Sequence, residues 1–150
     1  MFTNRGAYLT LLLLTRGTSP ATTFYVALCT AGTTPNVDIN TLGELTQIAT
    51  GNGYTSGGIA VARNSTDFDT MTEDDAVDKA YAQIKDLVWT ASGGTLPASG
   101  SGARYAVLTD DNGTVGSRQV IAWWDLGSDV IVSSGQTLTL QNLQLDGVPA

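Results

Sequence analysis

The chain has 150 residues, enough for one domain with a buried core, and only 14% of them are charged against 42% hydrophobic. The formal net charge is −7 and the seven Lys and Arg residues are scattered, which argues against nucleic acid or an anionic membrane as a partner, since both require clustered bases. The chain has no histidine, so it lacks the usual general base and the commonest metal ligand, and its lone cysteine, Cys29, excludes an internal disulfide and a cysteine-based zinc site.

The first predicted element is an α-helix over about residues 5–15. Asn4 is the predicted N-cap, Arg16 suits the last turn, Gly17 suits the left-handed cap position, and Ser19–Pro20 blocks continuation. Helical spacing predicts a wide buried face made of Tyr8, Leu11, Leu12 and Thr15, with Leu9 and Leu13 beside them.

This apolar segment also looks like a secretory signal, because Arg5 precedes the run AYLTLLLL. The run is too short to span a bilayer, and no Ala-x-Ala cleavage site follows it directly. We therefore expect the segment to be retained as structure.

After Pro20 the spacing of apolar residues changes from helical to extended. Residues 31–41 and the acidic segment 63–78 are predicted to be loops, and residues 42–49 one or two helical turns. The predicted strands cover residues 22–30, 58–62, 79–91, 104–109, 118–127, 130–132 and 136–145.

Two of these strands have irregular side-chain patterns. In 79–91, Ala82, Ile84 and Val88 share one face while Leu87 and Trp89 share the other. That strand either changes its buried side midway or is covered on both sides near its end. In 136–145 the pairs Leu138–Leu140 and Leu143–Leu145 have opposite parity, so we predict a bulge or break near Gln141–Asn142.

About seven strands with turn signals at short intervals follow the single predicted helix. That order is typical of an antiparallel β-sandwich or jelly roll. We therefore predict a mainly β, jelly-roll-like antiparallel sandwich with one N-terminal α-helix, forming a single domain over residues 1–150.

The glycine-rich stretch GNGYTSGGIAVAR, residues 51–63, invites comparison with a phosphate-binding loop. Its glycines lie at 51, 53, 57 and 58, so the third comes one residue late for a dinucleotide fingerprint, and a strand rather than a helix follows. The Gly-Lys-Ser/Thr of a P-loop is also missing. We interpret the stretch as a sharp turn feeding a strand, with Tyr54 packed beside it.

Three other groups of residues could carry chemistry. Asp110–Asn112, followed by Gly113, offers oxygen ligands for calcium but lacks the frame of a calcium loop, and a hairpin turn in which Asn112–Gly113 adopts positive φ is the alternative. Glu73–Asp75 holds carboxylates that a glycosidase could use, but acids on a solvated loop lack the apolar pocket that would raise a pKa, which favours a plain charged loop. Cys29 lies in an apolar run without a histidine to activate it, which indicates a buried hydrophobe. We predict no catalytic, cofactor-binding or metal site.

The Trp123–Trp124 pair lies within a predicted strand, where adjacent side chains point to opposite faces. One of the two indoles is therefore expected in the core. The other could belong to the core of a second layer, anchor an interface, or form a stacking surface for a sugar.

The order of several segments resembles one group of proteins. These segments are AYLTLLLLTRGT, FYVALCT, GYTSGGIAVAR, KDLVWTASGGTLPA, ARYAVLTDDNGT and IAWWDLGSDVIVSSGQTLTLQ. In this order they resemble small virion proteins of tailed bacteriophages, in which a helix precedes a β-sandwich and which serve as capsid decoration (cement) or tail-fibre-associated proteins. The resemblance covers most of the chain, implies self-association and a shell or tail partner, and supplies no catalytic residues.

Three functions follow from these observations. The first is a capsid decoration protein that binds and stabilises neighbouring major capsid subunits, located in the virion after synthesis in the host bacterial cytoplasm. The second is a tail-fibre or tail adaptor and receptor-binding module that contacts tail proteins; the third, an enzyme, has no support from the residues. We expect a homo-oligomer without nucleic acid, membrane or cofactor, and partner contacts at Met1, Phe2, Trp123 and Pro149.

Overall fold

The computed structural model describes residues 1–18 and 21–147, and in these ranges the chain is mainly β, with one α-helix and antiparallel sheets. Ser19–Pro20, predicted to stop the helix, and Pro149, predicted as a contact, lie outside the described residues. The elements are α1 Asn4–Arg16, β1 Thr23–Cys29, β2 Ile59–Ala62, β3 Thr70–Asp74, β4 Lys79–Ile84, β5 Leu87–Thr90, β6 Ala103–Thr109, β7 Val120–Val130, β8 Thr137–Leu140 and β9 Leu143–Gly147, with single 3-10 turns at Leu42–Glu44 and Val115–Ser117.

The described strands form three antiparallel sheets. A four-stranded sheet has the order β2-β1-β6-β7, a three-stranded sheet the order β3-β4-β9, and a two-stranded sheet pairs β5 with β8. The main hydrophobic core draws residues from α1 and from every described strand except β3, so the three sheets share one core.

The central strands of the four-stranded sheet, β1 and β6, are buried on both faces, which explains the continuous apolar run of β1. Val26 and Leu28 belong to the main core, whereas Ala27 and Cys29 belong to a second, smaller core. Alternate residues of a strand point to opposite faces, so each face of the sheet needs its own cover. The second face is covered by the segment that carries Ile39, Leu42 and Leu45. The helical turn predicted within 42–49 is confirmed as the single turn at Leu42–Glu44.

Strands β4 and β5 continue one another, as do β8 and β9, and the two pairs break at the same level. Ile84 pairs with Leu143 and Leu87 with Leu140, so two residues on each strand, Lys85–Asp86 and Gln141–Asn142, interrupt the ladder together. Asn142 has a φ of 57°, outside the extended region. Because both strands change parity together, the same face stays buried on either side of the break. The break near Gln141–Asn142 and the midway change of buried side in 79–91 are both confirmed, the latter as two strands rather than one.

Helix α1 begins one residue earlier than predicted, because its N-cap is Thr3 rather than Asn4. The Thr3 hydroxyl accepts the Gly6 amide at 2.9 Å, and Gly17 ends the helix with a left-handed φ of 65°, as predicted. The predicted buried face is right for Leu9, which is buried, and for Leu12, which packs half-buried against the main core. It is wrong for Tyr8, Leu11, Leu13 and Thr15, which are exposed. Gly6 and Leu9 are the buried positions, and a Cβ on Gly6 would stand 2.1 Å from the Ile121 carbonyl oxygen of β7. Leucines at 9 and 11–14 surround the helix, so their spacing alone could not select the face.

Two further expectations about strands are wrong. Residues 70–74 of the acidic segment form β3, which pairs with β4 in a hairpin, instead of continuing the predicted loop. Its side chains TMTED are mostly polar and none is buried, as suits a strand at the edge of its sheet, so the hydrophobic pattern of a buried strand is missing. Residues 130–132 form no separate strand; β7 runs on to Val130, and Val132 makes an isolated bridge to Leu96.

The glycine-rich stretch is a turn that feeds β2, as predicted. Gly58 has a φ of 78°, and a Cβ there would stand 1.8 Å from the Val26 carbonyl oxygen, so the glycine permits close approach to β1. Tyr54 is buried beside it. Burial raises the pKa of the Tyr54 phenol far above its ordinary value, which keeps the hydroxyl neutral.

Candidate interaction surface

The N-terminal residues lie along the outer edge of β7. Met1 donates its terminal amine to the Trp123 carbonyl at 2.6 Å and accepts the Trp123 amide at 3.0 Å, while Phe2 pairs with Ala122. The Thr3 amide continues the ladder to the Ile121 carbonyl at 3.0 Å. The structure thus brings together Met1, Phe2 and Trp123, three of the residues predicted from the sequence as contacts.

The two tryptophans of β7 face opposite sides of the sheet, and both are half-buried. Trp124 packs against the main core and donates its indole N–H to the Gln144 carbonyl at 2.9 Å. Trp123 packs against the second core, with its ring edge-on to Tyr105 at 6.0 Å between centroids. Among the described residues the buried indole nitrogen of Trp123 has no hydrogen-bond partner. Both indoles serve the packing of cores on the two faces of the sheet, the second-layer alternative of the sequence analysis.

An apolar cleft of about 490 Å³ opens between α1 and the three-stranded sheet. Met71, Ala82 and Leu145 form one row across β3, β4 and β9, since Ala82 pairs with both neighbours, and this row is one wall of the cleft. The opposite wall and floor come from Phe2, Leu9, Thr10, Leu13, Phe24, Phe68 and Ile121. A concave, mostly apolar site of this size is suited to receive apolar groups of a partner.

The Asp67 carboxylate holds the loop that carries Phe68 into the cleft. It accepts the Ala62 amide at 2.7 Å and forms an ion pair with the Lys85 ammonium, which lies at the break between β4 and β5. The hydrogen bond from Lys85 is the largest cause that lowers the pKa of Asp67. Phe68 then stands edge-on to Phe24 with 5.9 Å between ring centroids. The cleft therefore has a fixed rim rather than a loose loop.

The outward side of α1 is also apolar, and we call Ala7, Leu11 and Leu14 the helix surface. These positions follow the spacing i, i+4 and i+7, so they lie in one stripe along the helix. All three are exposed, Leu11 by 58% and Leu14 by 80%. Thr10, which lines the cleft, precedes Leu14 by one turn, so the stripe borders the cleft. A helix with apolar side chains on two opposite sides is typically buried on both sides.

Charge separates the helix from the hairpin formed by β3 and β4. Helix α1 contains Arg5 and Arg16 and no acidic residue. The hairpin exposes Glu73, Asp75 and Asp78, and among the described residues none of these three makes an ion pair. These charged residues stand outside the cleft, whose lining includes Arg63.

The residues considered for chemistry lie apart or are already engaged. In the described part of the chain no group of three or more Asp, Glu, Cys or His side chains converges to hold a metal ion. One carboxylate oxygen of Asp110 accepts the Gln119 amide at 2.9 Å and the Asn112 amide at 3.3 Å. Neither Asn112 nor Gly113 has a positive φ, so that prediction is wrong; Asn112 closes the turn by accepting the Thr114 amide at 2.9 Å.

Cys29 is fully buried in the second core, and burial raises the pKa of its thiol to about 12. A thiol with that pKa holds almost no thiolate at neutral pH. Glu73 and Asp74 are consecutive residues of β3 with opposite orientations, and Asp75 lies in the following turn. The three carboxylates therefore do not face one another as a catalytic pair would.

Within the described ranges, no helix is long and apolar enough to span a membrane. Comparison of the chain with protein-family models, with curated proteins and with solved structures gives no significant match. The described part of the chain offers three surfaces: the apolar cleft, the helix surface beside it and the exposed edge of β3.

Proposed function

We propose that the chain is a virion structural protein of a tailed bacteriophage, a capsid decoration protein that binds and stabilises neighbouring major capsid subunits. The observation that carries the proposal is the apolar cleft bordered by the exposed helix surface and by the free edge of β3. A soluble monomer rarely leaves such contiguous apolar surface open, so the surface indicates association. The resemblance described above supplies the identity of the partner.

The cleft is the proposed site for the capsid subunit. Its wall contains Met71, which is 81% exposed although it lies in a paired strand. An apolar side chain of the shell can enter the cleft against Phe68 and Leu145, while the open edge of β3 offers unpaired backbone groups to the same segment. Repetition over a symmetric shell raises the effective concentration, so each contact can be individually weak.

The finer architecture belongs to the same proposal. A jelly-roll-like sandwich would place the four-stranded sheet opposite a layer made of β4, β5, β8 and β9. The single main core shared by these strands supports this arrangement, as does the common break that lets two short ladders follow one another.

Co-sedimentation with purified capsids tests the function. We expect the wild-type chain to sediment with shells and Met71→Glu to lose most of this binding, because a carboxylate in the cleft would remain desolvated without a partner. Val88→Glu is the matched control: Val88 is an exposed apolar strand residue that does not line the cleft. Binding to tails but not to shells, or equal binding by all three chains, would contradict the proposal.

A further inference from the structure

We propose that Asn112–Gly113 is a site of covalent self-modification, at which the folded chain deamidates the asparagine without an enzyme. The dipeptide lies in the loop between β6 and β7, where residues 111–114 are all exposed. Asparagine is among the chemically labile residues. The reaction requires only the folded chain and water, so it is independent of the proposed function.

The reaction joins the backbone nitrogen of Gly113 to the side-chain carbon of Asn112. The nitrogen gives up its proton and attacks Cγ, the Cγ–Nδ2 bond breaks, and Nδ2 takes up a proton and leaves as ammonia. Water then opens the resulting succinimide at one of its two carbonyl carbons, which yields aspartate or isoaspartate. The net change exchanges one ammonia for one water, with no oxidation or reduction.

A hydrogen bond holds the two reacting atoms in one small ring. Asn112 Oδ1 accepts the Thr114 amide at 2.9 Å, and the ring that this bond closes contains both Asn112 Cγ and the Gly113 nitrogen. Nothing lies within 4 Å of a Cβ built on Gly113, so no group beyond its chain neighbours crowds the glycine. Among the described residues neither the Gly113 N–H nor Asn112 Nδ2 has a hydrogen-bond partner, so both are free to react.

The same loop stabilises the charge that develops during the reaction. Arg118 Nε–H donates to the Asn112 carbonyl oxygen at 3.2 Å. That oxygen shares the negative charge when the Gly113 amide loses its proton, because the peptide group is delocalised, and a cationic donor favours the charged form. The Thr114 N–H stands at Oδ1, where charge collects when Cγ becomes tetrahedral, at a distance suited to an oxyanion donor. The guanidinium lies over the Tyr25 ring, with Cζ 3.7 Å from the ring centroid, which fixes its position.

The chain contains a second Asn–Gly pair, Asn52–Gly53, in which the fold opposes the same reaction. This pair forms a tight turn with a φ of 50° at Asn52 and 106° at Gly53. Asn52 Nδ2, the nitrogen that would leave, donates to the Thr95 carbonyl at 2.8 Å. A Cβ on Gly53 would stand 2.0 Å from the Thr90 carbonyl oxygen, so this backbone has little room to rearrange. The fold therefore opens one copy of the dipeptide to reaction and locks the other.

The product differs from the original loop in charge and in length. Deamidation adds a carboxylate next to Asp110 and Asp111. Isoaspartate also lengthens the backbone by one atom, because the chain then runs through Cγ of residue 112. The modification thus marks the age of the chain at the loop that joins β6 to β7.

Peptide mapping by mass spectrometry, after incubation of the purified chain at neutral pH, tests the proposal. In the folded chain we expect Asn112 to deamidate about tenfold faster than Asn52, equivalent to about 1.4 kcal/mol of activation free energy. In urea the two rates should become similar, because the fold then no longer distinguishes the two dipeptides. The products at residue 112 should include both aspartate and isoaspartate.

Gly113→Ala tests the identity of the attacking nitrogen. The added methyl group crowds that nitrogen, so deamidation of Asn112 should slow about tenfold. The matched control is Thr114→Ala, which keeps the backbone N–H at Oδ1 and should leave the rate unchanged. Thermal unfolding checks that each variant is folded.

Two results would overturn the proposal. One is an Asn52 rate in the folded chain that equals or exceeds the Asn112 rate. The other is an unchanged rate at Asn112 in Gly113→Ala, because the glycine nitrogen would then not be the nucleophile.

Discussion

Removing one hydroxyl, by Tyr54→Phe, probes how the glycine-rich turn is tied to the central sheet. Strand β2 pairs with β1 only as far as Val26, so it leaves the backbone of Leu28 without a strand neighbour on that side. The Tyr54 hydroxyl takes the neighbour's place: it accepts the Leu28 amide at 3.1 Å and donates to Gln47 Oε1 at 2.9 Å. The Leu28 carbonyl has a second donor, the Ile48 amide at 3.0 Å.

The expected cost of Tyr54→Phe follows from what remains unpaired. The Gln47 side-chain oxygen still accepts the Gly57 amide at 2.7 Å, so the group that loses its partner is the Leu28 N–H. Leu28 is 0% exposed, so water cannot replace that partner. An unsatisfied buried donor costs about 1–3 kcal/mol. For a domain of this size each kcal/mol lowers Tm by roughly 2–4 °C, so we predict a fall of about 2–12 °C.

Urea unfolding followed by tryptophan fluorescence measures this loss. Tyr8→Phe is the matched control, because it removes the same atom from an exposed tyrosine and should change the free energy of unfolding by less than about 0.5 kcal/mol. Equal free energies for Tyr54→Phe and wild type would refute the role assigned to the hydroxyl.

Three other perturbations test different parts of the fold by the same unfolding assay. Gly58→Ala should lower the free energy of unfolding by more than about 3 kcal/mol, because its Cβ would meet the Val26 carbonyl oxygen. Gly113→Ala should be near neutral, because nothing lies within 4 Å of the Cβ that it adds. Similar losses of stability in the two variants would contradict this reasoning. Asp67→Asn should be less stable than the wild type at neutral pH, and this difference in stability should disappear as pH falls below about 4. The reason is that a lowered carboxyl pKa contributes stability only while the carboxylate is charged. A difference that persists in acid would count against the ion pair. Burial raises the pKa of the Cys29 thiol to about 12, so the thiol contributes stability that is complete below about pH 8.5 and is lost as pH rises towards 12. Cys29→Ala should therefore lose less stability over that pH range than the wild type. Equal losses of stability in the two chains would contradict the burial of the thiol.

The sequence predicts local structure well where a single residue type decides it. Gly17 ends α1 because a left-handed φ is needed there, and the parity of the leucines in 136–145 locates the break at Gln141–Asn142. It fails where tertiary contacts decide. Strand β3 is a polar strand at a sheet edge, and its pairing with β4 is visible only in three dimensions. The buried side of α1 is set by the close approach of Gly6 to β7, which no spacing of leucines reveals.

The candidate surface was only partly predictable for the same reason. The contacts expected at Met1, Phe2 and Trp123 stay a prediction, because the structure shows these residues only side by side along β7. The cleft itself is assembled from segments far apart in sequence, among them Phe68 and Leu145, and no local pattern joins them. The sequence carries one signal of this surface, the excess of leucines in α1 over what a single buried stripe needs, and their spacing predicts a wide buried face instead.

The proposed function requires that a tailed bacteriophage encodes the chain, and quantitative mass spectrometry of that bacteriophage's purified virions tests the proposal most directly. We predict that the chain is present in a copy number comparable to that of the major capsid protein and that it stays with the shell when tails are removed. Recovery with the tail fraction at a few copies per particle, or absence from the particle, would contradict it.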